Sequence, residues 1–459
     1  MSVNKKSVSE KDTAVANILE EPQISIGYTI ENKVLVNKSK DVKTKSVLSL
    51  FSGCGGMDLG FEGGFDVLSA SVNQKLCPNF VESRTNSKYV RLTKTKFKTI
   101  FANDILKDAE SAWLNYFTKR GQDVDSYHLQ SIVDLVKLHE GGIKVFPSKV
   151  DIVTGGFPCQ DFSIAGKRNG FKSHKNHLGK SMSKNEARTE TRGQLYMWMK
   201  EVIEITQPKI FIAENVKGLV NLDDVKDIIQ ADFANAGDNG YIVLAPQVLH
   251  AADYGISQSR ERLFFIGLKK SALKKNALKA LTEDVLPNEY NPYPPVTHAY
   301  TQEGDDLIDF VKLSEVFKGL KEPDKSKDLS QQKYSKAKFM GAHCQGQTEV
   351  KLNSISPTIR SEHHGNIEFR RLAVKNGGKQ IKELGKGRIE RRLTVRECAL
   401  IQTFPPDYDF VIENKNGSRR NYLVSASQAY KIIGNAVPPY LAYNLAKRLE
   451  SLWDLYFKK

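Results

Sequence analysis

The stretch Asp151-Ile152-Val153-Thr154-Gly155-Gly156-Phe157-Pro158-Cys159-Gln160-Asp161-Phe162-Ser163 decides the fold. Its β-branched run suits a short buried strand and is too short for a helix. Two glycines and a proline then stop regular structure and shape a loop. Cys159 is thereby placed at the carboxyl end of a strand, the edge at which open α/β sheets bind ligands. A lone cysteine is usually a small buried hydrophobe. Between glycines and a proline, the reading as an exposed nucleophile stands equally beside it.

Runs of the same texture lie on either side: Val47-Leu48-Ser49-Leu50-Phe51, Val67-Leu68-Ser69-Ala70, Lys209-Ile210-Phe211-Ile212-Ala213, Tyr241-Ile242-Val243-Leu244 and Arg262-Leu263-Phe264-Phe265-Ile266. Continuous apolar runs of this length suit strands covered on both faces. Helical periodicity falls between them, at Leu195 to Ile205 and Val225 to Phe233. Alternating strands and helices predict an α/β fold with a mostly parallel sheet. Near the end, Pro438-Pro439 can open a helix, and Leu441, Leu445, Leu449, Leu452 and Tyr456 mark one face of it.

The remainder divides by composition. Residues 1–45 are polar and Lys-rich, a flexible extension with at most one short helix at Thr13–Leu19. Residues 46–270 hold the strand-helix alternation. Residues 271–395 are loop-rich and basic, with 17 Lys/Arg against 8 Asp/Glu between Glu322 and Arg396. Residues 396–459 return to regular structure. The 459 residues carry a net charge of +15, for which an acidic partner, nucleic acid first, is the simplest reading. No apolar run approaches the roughly 20 residues of a membrane helix. The opening residues show no apolar core of a secretion signal. Cys54, Cys77, Cys159, Cys344 and Cys398 form no C-x-x-C pair, which argues against a zinc ribbon or disulfide scaffold and fits a cytoplasmic protein. No metal site is expected; His174 with His177 and the pair His363-His364 lack further ligands.

Three more segments carry chemistry. Phe51-Ser52-Gly53-Cys54-Gly55-Gly56-Met57-Asp58 follows a strand, and its glycines let backbone approach a nucleotide-type ligand. Asp58 stands where a dinucleotide fingerprint needs its third glycine, which disfavours a nicotinamide enzyme. Ala213-Glu214-Asn215-Val216 ends the next strand with a carboxylate that is expensive there without a partner or a task. Gly255-Ile256-Ser257-Gln258-Ser259-Arg260-Glu261-Arg262 offers two guanidinium groups on one face of an extended segment.

Taken in order, FSGCGG, NDI, GGFPCQDFS, ENV, QSRER, RRLTVRECALIQTFP and IGNAVPP resemble the DNA cytosine-5 methyltransferases, the bacterial restriction-modification enzymes in particular, over roughly residues 46–455. The resemblance implies a Rossmann-like, S-adenosylmethionine-dependent methyltransferase core with a smaller basic target-recognition domain at 271–395. It implies Cys159 as nucleophile on C6 of a flipped-out cytosine, Glu214 as the group that protonates N3, Arg262 on the base carbonyl and Arg260 beside it. Phe51, Gly53, Gly55, Asp104, Pro158, Asn435 and Val437 match the cofactor blocks, with Asp104 in the place that reads the adenine amino group. The acid that usually holds the ribose is absent from Ser71-Val72-Asn73-Gln74, where Asn73 is the substitute.

The loop from Ile164 to Lys200, rich in Lys and Arg, resembles the segment that closes over DNA, and Ser163, Lys167 and Arg168 are its expected contacts. Gln258, Thr358 and Arg360 are the remaining expected DNA contacts. Base reading is placed at Ser335–Arg371, first at Gly341–Gln347, where Gln, Arg, Lys and His supply donors to base edges. A GGNCC- or GGWCC-like site is the expectation from overall similarity. The implied partner is double-stranded DNA, bound by a monomer, with a restriction endonuclease as a genetic rather than physical partner. A tRNA methyltransferase and a non-catalytic DNA-binding relative are the alternative readings.

Overall fold

The computed structural model describes residues 44–158, 173–175, 181–186, 195–221, 224–237, 240–300, 306–361, 367–415 and 421–458, with backbone alone at 173–175 and 181–186. The extension and its helix at Thr13–Leu19 lie outside the described residues.

The apolar runs form one eight-stranded sheet of β1 Lys45–Leu50, β2 Phe97–Asp104, β3 Tyr127–Leu129, β4 Ile152–Gly156, β5 Ile210–Val216, β6 Tyr241–Val243, β7 Gln247–His250 and β8 Glu261–Lys269. Their spatial order is β3-β2-β1-β4-β5-β8-β6, with β7 continuing β6 along the same edge of β8. β1 runs parallel to β2 and β4, β2 to β3, and β4 to β5. Only β8 runs against its neighbours. The fold is α/β with a mostly parallel sheet. Strand order reverses between β1 and β4, which opens a ligand crevice at their carboxyl ends.

Both faces are covered, which is why the strands read as unbroken apolar runs. Val47, Ile210, Ile212, Phe264 and Ile266 pack with α1 Gly56–Glu62, α2 Lys107–Phe117 and, from the chain's end, α6 Val395–Ile401, α7 Ala426–Asn435 and α8 Pro439–Tyr456. Leu48, Leu50, Phe211, Ala213, Leu263 and Phe265 pack with α3 Ile132–Glu140, α4 Leu195–Thr206 and α5 Val225–Ala234. In α8, Leu441, Leu445, Leu449, Leu452 and Tyr456 are all buried. Each such leucine contributes about 1.5–3 kcal/mol of transfer free energy, so the C-terminal segment is fixed onto the sheet.

One strand expectation is corrected. Val67-Leu68-Ser69-Ala70 does not enter the central sheet. Asp66–Leu68 pairs with Tyr89–Leu92, which pairs with Val81–Arg84, in a separate three-stranded antiparallel sheet. A short apolar run fits either sheet equally, and pairing partners decide. The neighbour of β1 is β2, reached only at Phe97. Residues 271–299 also lie against the core: Leu273 bridges Phe457, the Tyr293 hydroxyl donates to Phe264 O at 2.9 Å, and Arg448 Nε donates to Asn291 O at 2.8 Å.

Candidate active site

β1 ends in a turn held in the left-handed region, with φ of +52° at Phe51, +55° at Gly53 and +76° at Gly55. A Cβ on Gly55 would meet Phe117 at 2.5 Å and Trp113 at 2.6 Å, so no other residue fits there. A Cβ on Gly53 would meet nothing within 4 Å. The turn therefore backs onto α2 and presents bare backbone on its open side. Gly56 abuts the Val437 carbonyl, which brings the distant Asn435–Val437 block to this turn, Val437 buried and Asn435 exposed. Gly53 N donates to Asp104 Oδ2 at 3.0 Å, and the Tyr127 hydroxyl donates to Gly53 O at 3.0 Å.

One cofactor expectation changes. Asn73 is buried and spent: its Nδ2 donates to Thr297 O at 3.0 Å and Asp306 O at 2.7 Å, and its Oδ1 accepts from Lys75 N and Leu76 N. Both polar atoms of the Asn73 side chain are engaged. Asp104, read from the sequence as the adenine contact, ends β2, the strand beside β1. That is where Rossmann-type folds place the ribose carboxylate. Its Oδ1 accepts from Leu106 N at 2.9 Å, and each oxygen keeps a second lone pair. Burial raises its carboxyl above the ordinary range, against the Leu106 and Gly53 amides.

The catalytic segments meet across β4 and β5. Glu214 pairs in register with Gly156. A Cβ on Gly156 would stand 2.9 Å from Glu214 Oε2, so the glycine makes room for the carboxyl. Arg262 on β8 lies diagonal to Glu214, since Phe264 is the residue directly opposite. Its Nε approaches Glu214 Oε1 to 2.9 Å, yet Oε1 receives no well-aimed N–H. Burial raises the Glu214 carboxyl, while Arg262 and Arg260 pull the other way. The result is a desolvated carboxyl with a neighbouring cation and an oxygen still open to a donor. Asn215 Nδ2 donates to Phe157 O at 3.3 Å, which ties β5 to the Pro158 turn. Sequence reasoning passed over Asn215; its position next to Glu214 at a strand end was the available signal. Pro158 is half-buried beside Gly156. Cys159, Ser163, Lys167, Arg168 and most of the loop to Lys200 lie outside the described residues, as does the pair His363-His364.

A model of C-5 cytosine-specific DNA methylases matches residues 45–451. The chain belongs to the C-5 cytosine-specific DNA methylase family. It is 30% identical over 429 residues to the type II methyltransferase M.BspRI of Lysinibacillus sphaericus, covering 90% of this chain and 83% of that one. It is 28% identical over 428 residues to the type II methyltransferase M.FnuDI of Fusobacterium nucleatum, covering 89% and 95%. Among solved structures, the Entamoeba histolytica methyltransferase EhMeth is similar at 16% identity with a TM-score of 0.50, covering 91% of this chain and 100% of that one. At that identity the likeness shows the fold. The chain is a DNA cytosine-5 methyltransferase.

In this methylase Arg260 and Arg262 have different surroundings. Arg260 is fully buried and donates to Ile359 O at 3.1 Å, Gly434 O at 3.0 Å and Ala436 O at 2.8 Å. It fastens the Pro357–Arg360 segment and the end of α7 to the start of β8. Gln258 is corrected as a DNA contact: it is fully buried, its Nε2 donates to Gln402 Oε1 at 3.0 Å, and its Oε1 accepts from Ile359 N at 2.8 Å. The Thr358 hydroxyl donates to Ser259 O, which extends the short parallel pairing of Gln258–Ser259 with Ser356–Pro357. Arg360 keeps 30% of its side chain exposed while Glu368, buried beneath it, accepts from Nη1 at 3.2 Å. No ion-binding group of three or more His, Cys, Asp or Glu occurs among the described residues, and no helix there is long and apolar enough to cross a membrane.

Within the basic stretch 322–396 the lysines are largely exposed, but five arginines are not. Arg370, Arg371, Arg391, Arg392 and Arg396 are buried. Arg371 grips Glu322 with two bonds, at 3.0 and 2.6 Å, and Arg391 grips Glu397 with two of 2.8 Å. Burial works to raise Glu322, but Arg371 and Arg391 overturn it and hold the carboxyl down to about 2. These cations build the segment rather than face a partner. Charge counting cannot see burial.

Proposed function

We propose that the enzyme is the modification methyltransferase of a type II restriction-modification system, acting on a flipped-out cytosine in a short duplex site through a covalent bond between Cys159 and C6. The names of M.BspRI and M.FnuDI and the extent of the match support the biological role. The related nuclease is a genetic partner, and the methylase acts as a cytoplasmic monomer. The observation that carries the chemistry is the desolvated Glu214 carboxyl, paired with Arg262 and seated against Gly156 three residues before Cys159.

S-adenosylmethionine suits the crevice between β1 and β4. The open side of Gly53, the steric fit at Gly55 and the Asp104 carboxyl form a cradle of backbone with one acceptor for ribose hydroxyls. Phe51, Pro158, Asn435 and Val437 border it. When bound, S-adenosylmethionine supplies an electrophilic methyl group to C5.

The chain's own residues supply the rest. A base inside a duplex is out of reach, so the cytosine must be extruded. The Cys159 thiolate adds to C6 while the Glu214 carboxyl gives its proton to N3, which draws the electron pair off C6 as the C–S bond forms. Arg262 holds Glu214 and the base carbonyl. After methylation, a base such as water takes the C5 proton, which returns an electron pair to C5–C6 and expels the Cys159 thiolate, and the N3 proton returns to Glu214. The basic loop with Ser163, Lys167 and Arg168 contacts phosphates. Thr358 and Arg360 face the same duplex, carried there by Arg260. Target reading falls to residues 306–392, within the expected 271–395 region. The DNA methylase family and the intact Glu214–Arg262 pair weigh against the tRNA and non-catalytic readings.

Bisulfite sequencing of plasmid DNA from cells expressing the enzyme tests this, with Cys159→Ala as control. Protected cytosines at one short motif, absent from the control, are expected. Protection that persists in Cys159→Ala removes the nucleophile assignment.

A further inference from the structure

Beneath the glycine turn lies a carboxylate that the reaction does not use. Asp58 is 1% exposed. Burial pushes its carboxyl up to about 7, and what opposes this is hydrogen bonding. Ser49 Oγ donates to Oδ1 at 2.5 Å, and Trp113 Nε1 donates to Oδ2 at 2.8 Å. A buried carboxylate held by neutral donors is costly to retain.

The chain of bonds leads from it to the cofactor cradle. Ser52 Oγ donates to Ser49 Oγ at 2.9 Å and accepts from Asn103 N at 3.1 Å. Ser52 N donates to Asn103 O at 2.8 Å. The next residue is Asp104, whose Oδ2 accepts from Gly53 N. Phe51 immediately before Ser52 sits at φ +52°. A non-glycine residue there is strained and persists only where its surroundings enforce it. Ser52 is the enforcing residue, and Ser49 with Asp58 fixes the Ser52 hydroxyl.

We propose that Asp58 is a positioning residue for the cofactor: through Ser49 and Ser52 it fixes the left-handed turn that aligns Gly53 with Asp104. Trp113 orients the carboxylate from α2 but stands outside the relay. The inference rests on the reading of the β1–β4 crevice as the S-adenosylmethionine site.

Isothermal titration of the whole enzyme with S-adenosylmethionine, alongside steady-state kinetics, tests it. Ser49→Ala and Asp58→Asn each raise the Kd and the cofactor KM about tenfold, the loss of one hydrogen bond to a charged group. The kcat at saturating cofactor and the KM for DNA stay within about twofold. The double variant binds no more weakly than the weaker single one, because both changes cut the same relay. Trp113→Phe lowers Tm but leaves the cofactor Kd within about twofold. Unchanged Kd values in Ser49→Ala and Asp58→Asn, or an equal rise in Trp113→Phe, would overturn the relay while the cofactor site stands. Absence of binding by the unaltered enzyme would overturn the cofactor reading and the relay with it.

Discussion

Glu214 and Gly156 stand opposite each other in the parallel register of β5 and β4, and a Cβ on Gly156 would lie 2.9 Å from Glu214 Oε2. The carboxyl is the flexible end of its side chain, so Gly156→Ala folds. The methyl group displaces the acid from the Pro158 turn. General acid–base groups contribute about 10²–10⁴-fold, and a fall in kcat of about 10²-fold with little change in Tm is expected. Stopped methyl-transfer assays beside a thermal melt check it. Full activity would mean that Glu214 tolerates a second position.

Burial raises Glu214 while Arg262 and Arg260 partly oppose it. A raised carboxyl stays protonated to higher pH than an exposed glutamate. Its proton-donating form is complete below the unfolded value and is lost as pH rises through the folded one. Any folding stability linked to this shift follows the same direction. The thiolate of Cys159 demands the opposite, so kcat/KM should be bell-shaped, with Glu214 on the alkaline limb. Glu214→Gln keeps a donor toward N3 but cannot titrate. Its rate falls about 10²-fold and the alkaline limb disappears. A limb that survives in Glu214→Gln belongs to another group.

The strands at Leu48, Val153, Phe211 and Phe264 were legible because a sheet covered on both faces leaves continuous apolar runs. The order of those strands was not. Val67–Ala70 has the composition of a central strand and pairs elsewhere, and Asn73, which follows it, has its side chain engaged by its own surroundings. The strand beside β1 is Phe97–Asp104, and it ends in a carboxylate, Asp104. Glu214 was legible as a costly charge at a strand end, and Arg262 as a guanidinium group leading into a strand. The burial of Gln258, Arg371 and Arg392 was not, because a polar residue shows its neighbours only in three dimensions.

The exchange between Asp104 and Asn73 is itself testable. Asp104→Asn removes the negative acceptor at the end of β2, and a hydrogen bond to a charged group is worth about 1.5–3 kcal/mol. The Kd for S-adenosylmethionine should rise about 10- to 100-fold. Asn73→Ala deletes buried bonds to Thr297 and Asp306, so it lowers Tm and leaves cofactor affinity near that of the unaltered enzyme. Calorimetric titration and melting of both variants decide. The reverse pattern would return the ribose to Asn73.

Arg392 makes the last prediction. It is fully buried, and its guanidinium lies 4.0 Å from the Phe369 ring centre. Nε donates to Ala337 O at 2.9 Å, Nη1 to Gly346 O at 2.7 Å and to Ile367 O, and Nη2 to Lys338 O at 3.2 Å. Both arms of the 338–346 loop are thus braced by one side chain. Met340 N adds a bond to Gln347 Oε1 at 2.9 Å. Lys338, Met340, His343 and Gln345 are left exposed at its surface, a set of donors and one apolar contact suited to base edges. A lysine carries one point charge and cannot span carbonyls that a planar fork reaches together. Arg392→Lys should therefore loosen the loop and lower discrimination between the cognate site and single-base variants about tenfold, since a wrong base pair costs about 1–3 kcal/mol. Binding of S-adenosylmethionine stays unchanged because the bonds of Arg392 go to residues 337–347 and 367, none of them in the β1 turn. Deep bisulfite sequencing of a randomised site library reads the effect, and His343→Ala with Gln345→Ala should shift the same positions of the motif. Unaltered discrimination in all three variants would place base reading outside this loop.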